Sequence, residues 1–242
     1  MKKFGLTLAE VLVTVAIIGV VSALTVPQLS VSIQKKQWAS ALSTQITNFE
    51  NATRNLIINS NAIDMYDTEI LNQNTLSEDF PKYLKNLESY NEEDFIQFYK
   101  GKVYNINKEI LNYYQLDRNI MYYINFNLKG GGNLFIGNLN YWGGYYYDEE
   151  TALKKGITYR MRIGDVVIDV NGKKPPNTLG RDIFKFDLDE NGKLHASGSK
   201  DVSLYSNIES LHWEKACPDE NITDIGISCT GRLVENNFVM DY

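Results

Sequence analysis

The sequence predicts an α+β chain in which one long N-terminal helix packs its second half onto an antiparallel sheet. Three observations carry that prediction. Leu6 to Val26 is a mainly apolar run in which Glu10 is the one charged residue. From Trp38 to Leu56 apolar residues recur at spacings of three and four. Beyond about residue 116, β-branched and aromatic residues alternate with polar ones between glycine-bearing turns. A chain of 242 residues is long enough for one membrane helix and one domain with a real core, and too short for several large domains.

Leu6 to Val26 is about 21 residues, and at about 1.5 Å per residue it makes a helix of roughly 32 Å, enough to cross the hydrocarbon core of a bilayer. Glu10 is its single charged residue. A carboxylate there costs on the order of 2.5 to 3.5 kcal/mol on insertion scales, so it calls for a partner. Lys2 and Lys3 precede the run and orient it with its C-terminal end away from the cytoplasm. Pro27 lacks an amide hydrogen and crowds the carbonyl four residues back, which predicts a loosened helix rather than its end. The stripe of Trp38, Leu42, Ile46, Phe49, Thr53 and Leu56 then gives one buried face, with Lys35, Lys36, Gln45, Glu50 and Arg54 mostly elsewhere. The organisation expected is a leader at 1–5, an apolar spine segment at 6–27, an amphipathic segment at 28–58 and a globular head at 59–242.

Within the head, 59–115 reads as a variable connection and 116–242 as β-rich. Phe80 to Leu87 and Glu92 to Tyr99 look helical, and Asn74 to Glu78 offers capping residues before Pro81. Ile120, Tyr122, Ile124, Phe126 and Leu128 alternate with Met121, Tyr123, Asn125 and Asn127 up to a turn at Gly130-Gly131-Gly132-Asn133. Ile157, Tyr159, Met161 and Ile163 alternate with Thr158, Arg160 and Arg162, placing the arginines outside. Val166 to Val170 leads to the Asn171-Gly172 turn, and Phe184, Phe186 and Leu188 lead to Asn191-Gly192 and a return through Leu194. The sheet's apolar face is expected on the spine.

Lys2-Lys3-Phe4-Gly5 followed by Leu6-Thr7-Leu8-Ala9-Glu10 resembles the class III leader of type IV pilins and type II secretion pseudopilins. The resemblance implies cleavage after Gly5 by a prepilin peptidase, N-methylation of Leu6 and an assembly role for Glu10, with Gly19 and Pro27 as the helix-softening positions. It also implies other pilin or pseudopilin subunits and an inner-membrane assembly platform as partners. Leu6 in place of the commoner phenylalanine is a mild departure. Looser likenesses are Asp169 to Gly172 with Pro176-Asn177, Gly180, Asp182 and Phe184, similar to the family's loop and hairpin, and Cys229 to Tyr242, similar to its cysteine-plus-terminal-strand finish. From the residues alone, a new amino terminus at Leu6 is a cation that Glu10 of a neighbouring helix can neutralise. A secretory signal peptide competes, since Val21-Ser22-Ala23 offers a small-residue cleavage site. N-terminal sequencing separates methylated Leu6 from Leu24.

Net charge is −6, and losing Lys2 and Lys3 deepens it to −8, which disfavours a chain that binds nucleic acid along its length. Cys217 and Cys229 fall in the part expected outside, where a disulfide forms; two reduced thiols are the alternative. Asp187-Leu188-Asp189-Glu190-Asn191-Gly192 fits the front of a calcium loop, but the twelfth position is Gly198 and the flanking alternation favours a hairpin. Asp187, Asp189 and Asn191 are therefore weak calcium candidates and no other cofactor is expected. Asp169, Asn171 and Asp182 form a second candidate set, as some pseudopilin heads bind calcium. Tyr141, Trp142, Tyr145, Tyr146 and Tyr147 read as rings on the sheet or between heads rather than a carbohydrate surface. His195 and His212 are the only histidines and flank no nucleophile pattern, so no enzyme is expected. The expected function is a subunit of a type II secretion pseudopilus or type IV pilus, with the head outside the cytoplasm. A membrane-anchored or secreted binding domain that never polymerises is the alternative.

Overall fold

The computed structural model describes residues 7–70, 73–91, 95–111, 123–137, 150, 154, 162–200, 213–217 and 226–242. Gly5, Leu6, the tyrosine-rich stretch 141–147, Arg160 and His212 lie outside the described residues. The chain divides into two compact units, Met1–Gln37 and Trp38–Tyr242.

Helix α1 spans Leu8–Asn59 and runs through Pro27 without ending. In the first unit its apolar side chains are exposed on every side, among them Leu12, Ile18 and Leu24. Thr14 and Thr25 donate their hydroxyls to Val11 O and Val21 O, each at 2.9 Å, so these polar side chains are satisfied by their own helix. Gly19 has open space around the position a Cβ would take.

In the second unit α1 buries Ala39, Leu42, Phe49, Ala52, Thr53 and Leu56, the face its periodicity predicts. Trp38 is half-buried, and the half-buried Ile46 packs against the same core. The expected spine end at Ile58 falls one residue short of the helix end.

Short helices α2 (Gln73–Glu78) and α3 (Phe95–Tyr99) flank a 3-10 turn at Phe80–Tyr83, where Pro81 sits at the start. The sheet is β1 (Leu87–Asn91), β2 (Tyr123–Leu128), β3 (Asn133–Gly137), β4 (Arg162–Asp169), β5 (Ile183–Asp189) and β6 (Leu194–Ala196), antiparallel in sequence order. β1 was not expected; its Leu87-Glu88-Ser89-Tyr90 lacks a clean alternation, and pairing with β2 decides it. Expected strand positions 120–122 and 157–161 lie outside the described residues.

Ile124, Phe126, Leu134, Ile136, Val166, Ile168, Phe184, Phe186 and Leu188 point to one face and form the main core with Leu42, Phe49, Leu56 and Phe80. Each such side chain contributes roughly 1.5 to 3 kcal/mol by leaving water. The opposite face carries Phe135, Val167 and Ile183, which meet Phe95, Phe98, Tyr99, Val103 and Leu179 in a second core. Both faces of the sheet are therefore covered. A bulge between Arg162 and Gly164 lets Ile163 and Val166 share the inner core although their spacing is odd.

The end of the chain corrects one expectation. Cys229–Glu235 is helix α5, not a terminal strand, and is preceded by helix α4 (Trp213–Ala216). Its Gly231 N–H donates to Ser197 O at 2.8 Å, so the segment lies against the end of β6 through backbone contact while coiling as a helix. Cys217 and Cys229 are joined by a disulfide.

Candidate functional site

Helix α1 begins with a closed capping arrangement. Thr7 N and Thr7 Oγ1 donate to Glu10 Oε2 at 2.8 and 2.9 Å, and Glu10 N donates to Thr7 Oγ1 at 3.3 Å. Glu10 thus already has donors in its own chain. What the box leaves over is a net negative charge in an apolar surface.

The outer face of the sheet holds an ion cluster. Arg162 pairs with Asp165, its Nε lies 3.3 Å from Asp187 Oδ1, and Lys185 Nζ lies 3.5 Å from Asp165 Oδ2. The outward direction expected for Arg162 holds, but the side chain is only 18% exposed, because these carboxylates draw it down onto the sheet. Asp187 and Asp189 do not open toward a common ion. Asp189 Oδ1 accepts from Asn191 N at 3.0 Å and Lys193 N at 2.8 Å, and its Oδ2 lies 3.0 Å from His195 Nε2. This is the β5–β6 hairpin that the alternation predicts. Its turn rests on α1, where Thr53 Oγ1 donates to Gly192 O at 2.8 Å. Gly192, at φ +76°, is so close that a Cβ would stand 2.6 Å from that of Thr53.

At the other end of the strands, the loop 170–182 brings Asp169, Asn171 and Asp182 together. Asp169 Oδ1 accepts from Asn171 N (2.9 Å) and Gly172 N (2.8 Å), and Tyr99 donates its hydroxyl to Asp169 Oδ2. Asp182 accepts from Asn177 N (2.9 Å) and Thr178 N (2.6 Å). Asn171 Nδ2 donates to Lys174 O at 3.0 Å, and Asn177 Nδ2 donates to Gly172 O at 3.0 Å and Lys174 O at 3.1 Å. Asn171 Oδ1 is buried and accepts no hydrogen bond among the described residues.

The two buried carboxylates and the Gly172 and Lys174 carbonyls are thus each taken up by N–H or O–H donors, which brace the loop. Among the described residues no three His, Cys, Asp or Glu side chains gather as a metal cage. The loop offers a hard cation such as calcium few open lone pairs, so its acids and amides fit a hydrogen-bonded brace better than an ion site. Asp169 Oδ1 already accepts two N–H bonds and its Oδ2 the Tyr99 hydroxyl, while each oxygen of Asp182 accepts one N–H. Tyr99 was missed in the sequence, and Asn177 entered only through the loop likeness, without a role. Tyr99 lies in a stretch with weak signals, and only the fold brings it to Asp169.

Electrostatics at both ends of the outer face share one direction. Burial pushes Asp182 up to about 6, and burial pushes Asp169 well above the ordinary carboxylate range, with the Asp182 charge adding to it. Burial also raises Asp187 to about 6, against the pull of Arg162. An unfolded aspartate titrates near about 3.9. The folded chain therefore binds more protons than the unfolded chain from about pH 4 to 6, and ionising these groups in the fold opposes stability. Unfolding stability is expected to rise, by on the order of 1 to 3 kcal/mol, as pH falls from 7 to about 4.5. Urea midpoints across that range measure it, and a falling midpoint contradicts the assignment.

These features define a class: an α+β chain whose N-terminal helix is long and apolar enough to cross a membrane and whose second unit carries an oxygen-rich loop at one sheet end. No family model, curated protein or solved structure matches the chain.

Proposed function

We propose that the chain is a prepilin-type subunit of a type II secretion pseudopilus or a type IV pilus, processed after Gly5 and assembled through the first half of α1. The observation that carries this reading is the division of one helix into two chemistries. Its first part exposes apolar side chains all round with Glu10 as the one acid, and its second part buries a narrow stripe in an α+β head. A helix of the first kind is stable in lipid or against other such helices. The work performed is mechanical: adding or withdrawing subunits at the membrane moves a fibre that extrudes substrates or projects from the cell. N-terminal sequencing of the membrane-extracted chain is expected to begin at methylated Leu6, and sheared cell-surface material is expected to hold fibres containing the chain. A mature start at Leu24 or a cleaved soluble form contradicts the proposal.

The hydrogen-bonded lining of loop 170–182 does not fit calcium, so calcium at millimolar concentration is expected to leave the melting temperature at pH 7 unchanged, and a rise of several degrees, as ligand linkage requires, would show that the loop binds the ion.

A further inference from the structure

The two ends of the sheet in the second unit carry opposite charge. At one end a row of lysines follows the rim. Lys129 N donates to Asn86 O at 2.7 Å, which sets Lys129 beside Lys85. Lys174 Nζ stands 3.9 Å from where a Cβ of Gly131 would be, and Lys173 Nζ lies 4.0 Å above the ring of Phe98, two residues before Lys100. Lys85, Lys100, Lys129, Lys173 and Lys174 are all exposed, whereas Asp169 and Asp182 at this end are buried; Glu88 of β1 is an exposed acid near the rim. At the other end Glu190 stands in the β5–β6 turn. Its carbonyl accepts from Met65 N at 2.8 Å, and that bond brings up the segment after α1, with Asp64, Asp67 and Glu69. Arg54 and Lys193 also lie at this end, outnumbered by the acids.

Shape follows the same division. Ile63 is 89% exposed and stands out from the acidic end as an apolar knob. Asp67 Oδ2 accepts from Ile63 N at 3.1 Å and Asp64 Oδ1 from Tyr66 N at 2.8 Å, so the two carboxylates hold the turn on either side of it. The lysine rim has a matching gap. Gly130 and Gly131 are exposed, at φ +101° and +92°, and a Cβ on Gly130 would meet nothing within 4 Å. A stretch without side chains is thus flanked by Lys129 and Lys174, as the knob is flanked by Asp64 and Asp67. Strand β5, Ile183–Asp189, runs between the two ends and separates them by roughly 20 Å, so knob and gap meet only between copies. We propose that the acidic end of one copy docks on the lysine rim of another, with Ile63 in the gap at Gly130-Gly131 and its carboxylates beside Lys129 and Lys174. The contact joins unlike surfaces, so repetition extends a row unless it closes into a ring. This inference deepens the assembly reading and rests on it for the contact's place in a fibre. Exposed charges steer and register the copies, and salt weakens them.

The test is zero-length carbodiimide cross-linking of the full chain in detergent micelles, with ordinary and isotope-labelled copies mixed so that peptides joining two copies are told apart by mass. Mixed-isotope links are expected between Lys129 or Lys174 and Asp64, Asp67 or Glu69, with a yield that falls about 10-fold as salt rises from about 0.05 to 0.5 M. Ile63→Lys puts a cation against the rim and keeps the hydrogen bonds of the turn; it is expected to lower the yield about 10-fold, as is Lys129→Glu combined with Lys174→Glu. Mixing the two variant chains is expected to restore the links, because one keeps the rim and the other keeps the acidic end. That restoration also shows that both variants fold. Absence of mixed-isotope links in the parent, links that persist in both variants, or a mixture that stays unlinked overturns the inference. Links without fibres on cells overturn the assembly reading and leave the contact; fibres of normal yield from both variants leave the assembly reading and overturn this inference.

Discussion

Replacing Glu10 by alanine or valine is expected to abolish fibre formation while leaving the chain in the membrane fraction. Removing the carboxylate deletes an insertion cost of roughly 2.5 to 3.5 kcal/mol, so membrane residence does not suffer. Assembly does, because a new amino terminus at Leu6 loses its anionic counterpart on the adjacent helix. The capping box adds a sharper comparison. Glutamine at this position can still accept from Thr7 N and Thr7 Oγ1, as glutamate does at 2.8 and 2.9 Å, but carries no charge. Glu10→Gln is therefore expected to keep the helix start and lose assembly. Fibres of normal yield from Glu10→Gln would assign the residue to helix initiation, and fibres of normal yield from Glu10→Val would refute the assembly role altogether. Both yields are read by microscopy and immunoblot of sheared material, with the membrane fraction as the control.

The second large effect is expected at Phe49. This ring is 1% exposed on the buried stripe of α1, 5.5 Å from the ring of Phe80, which in turn meets Phe126 of β2 at 6.0 Å. Three aromatic rings thus link helix, connection and sheet in one contact series. Phe49→Ala removes the first ring and leaves a cavity between layers that cannot close, because α1 is held at Gln45 by Asn86 (2.9 Å) and at Thr53 by Gly192 (2.8 Å). The expected loss is about 3 to 5 kcal/mol. Against a stability of roughly 5 to 15 kcal/mol, that takes much of what holds the head together. Urea unfolding measures it; a loss below about 1 kcal/mol would mean that the helix moves freely over the sheet.

The long periodic elements were legible because their signal is repetitive. The stripe on α1 and the alternation in β2, β4 and β5 each repeat one choice over many residues, with the larger apolar set turned to the core that α1 shares. β1 and α5 were not legible for the opposite reason. Five residues of β1 gain their identity from hydrogen bonds to β2, and the sequence at Cys229–Glu235 carries no stripe long enough to outvote a family likeness. The loop 170–182 stands between these cases. Its acids and amides were recognisable as candidates, yet their meeting depends on strand pairing that sets Asp169 opposite Ile183, and on Tyr99 arriving from 70 residues away.

The amino-acid order alone determined that one helix carries an oily half with a lone acid and an amphipathic half, that a sheet follows, and that two cysteines lie near the end. Period and polarity are local properties, and they survive without any knowledge of neighbours. Tertiary structure decided which carboxylates are buried together, that both faces of the sheet are covered, and that the chain's end folds back through Arg232 and Tyr242 onto Gly180. Those outcomes depend on contacts between residues far apart in sequence, where burial and pairing outweigh any local preference.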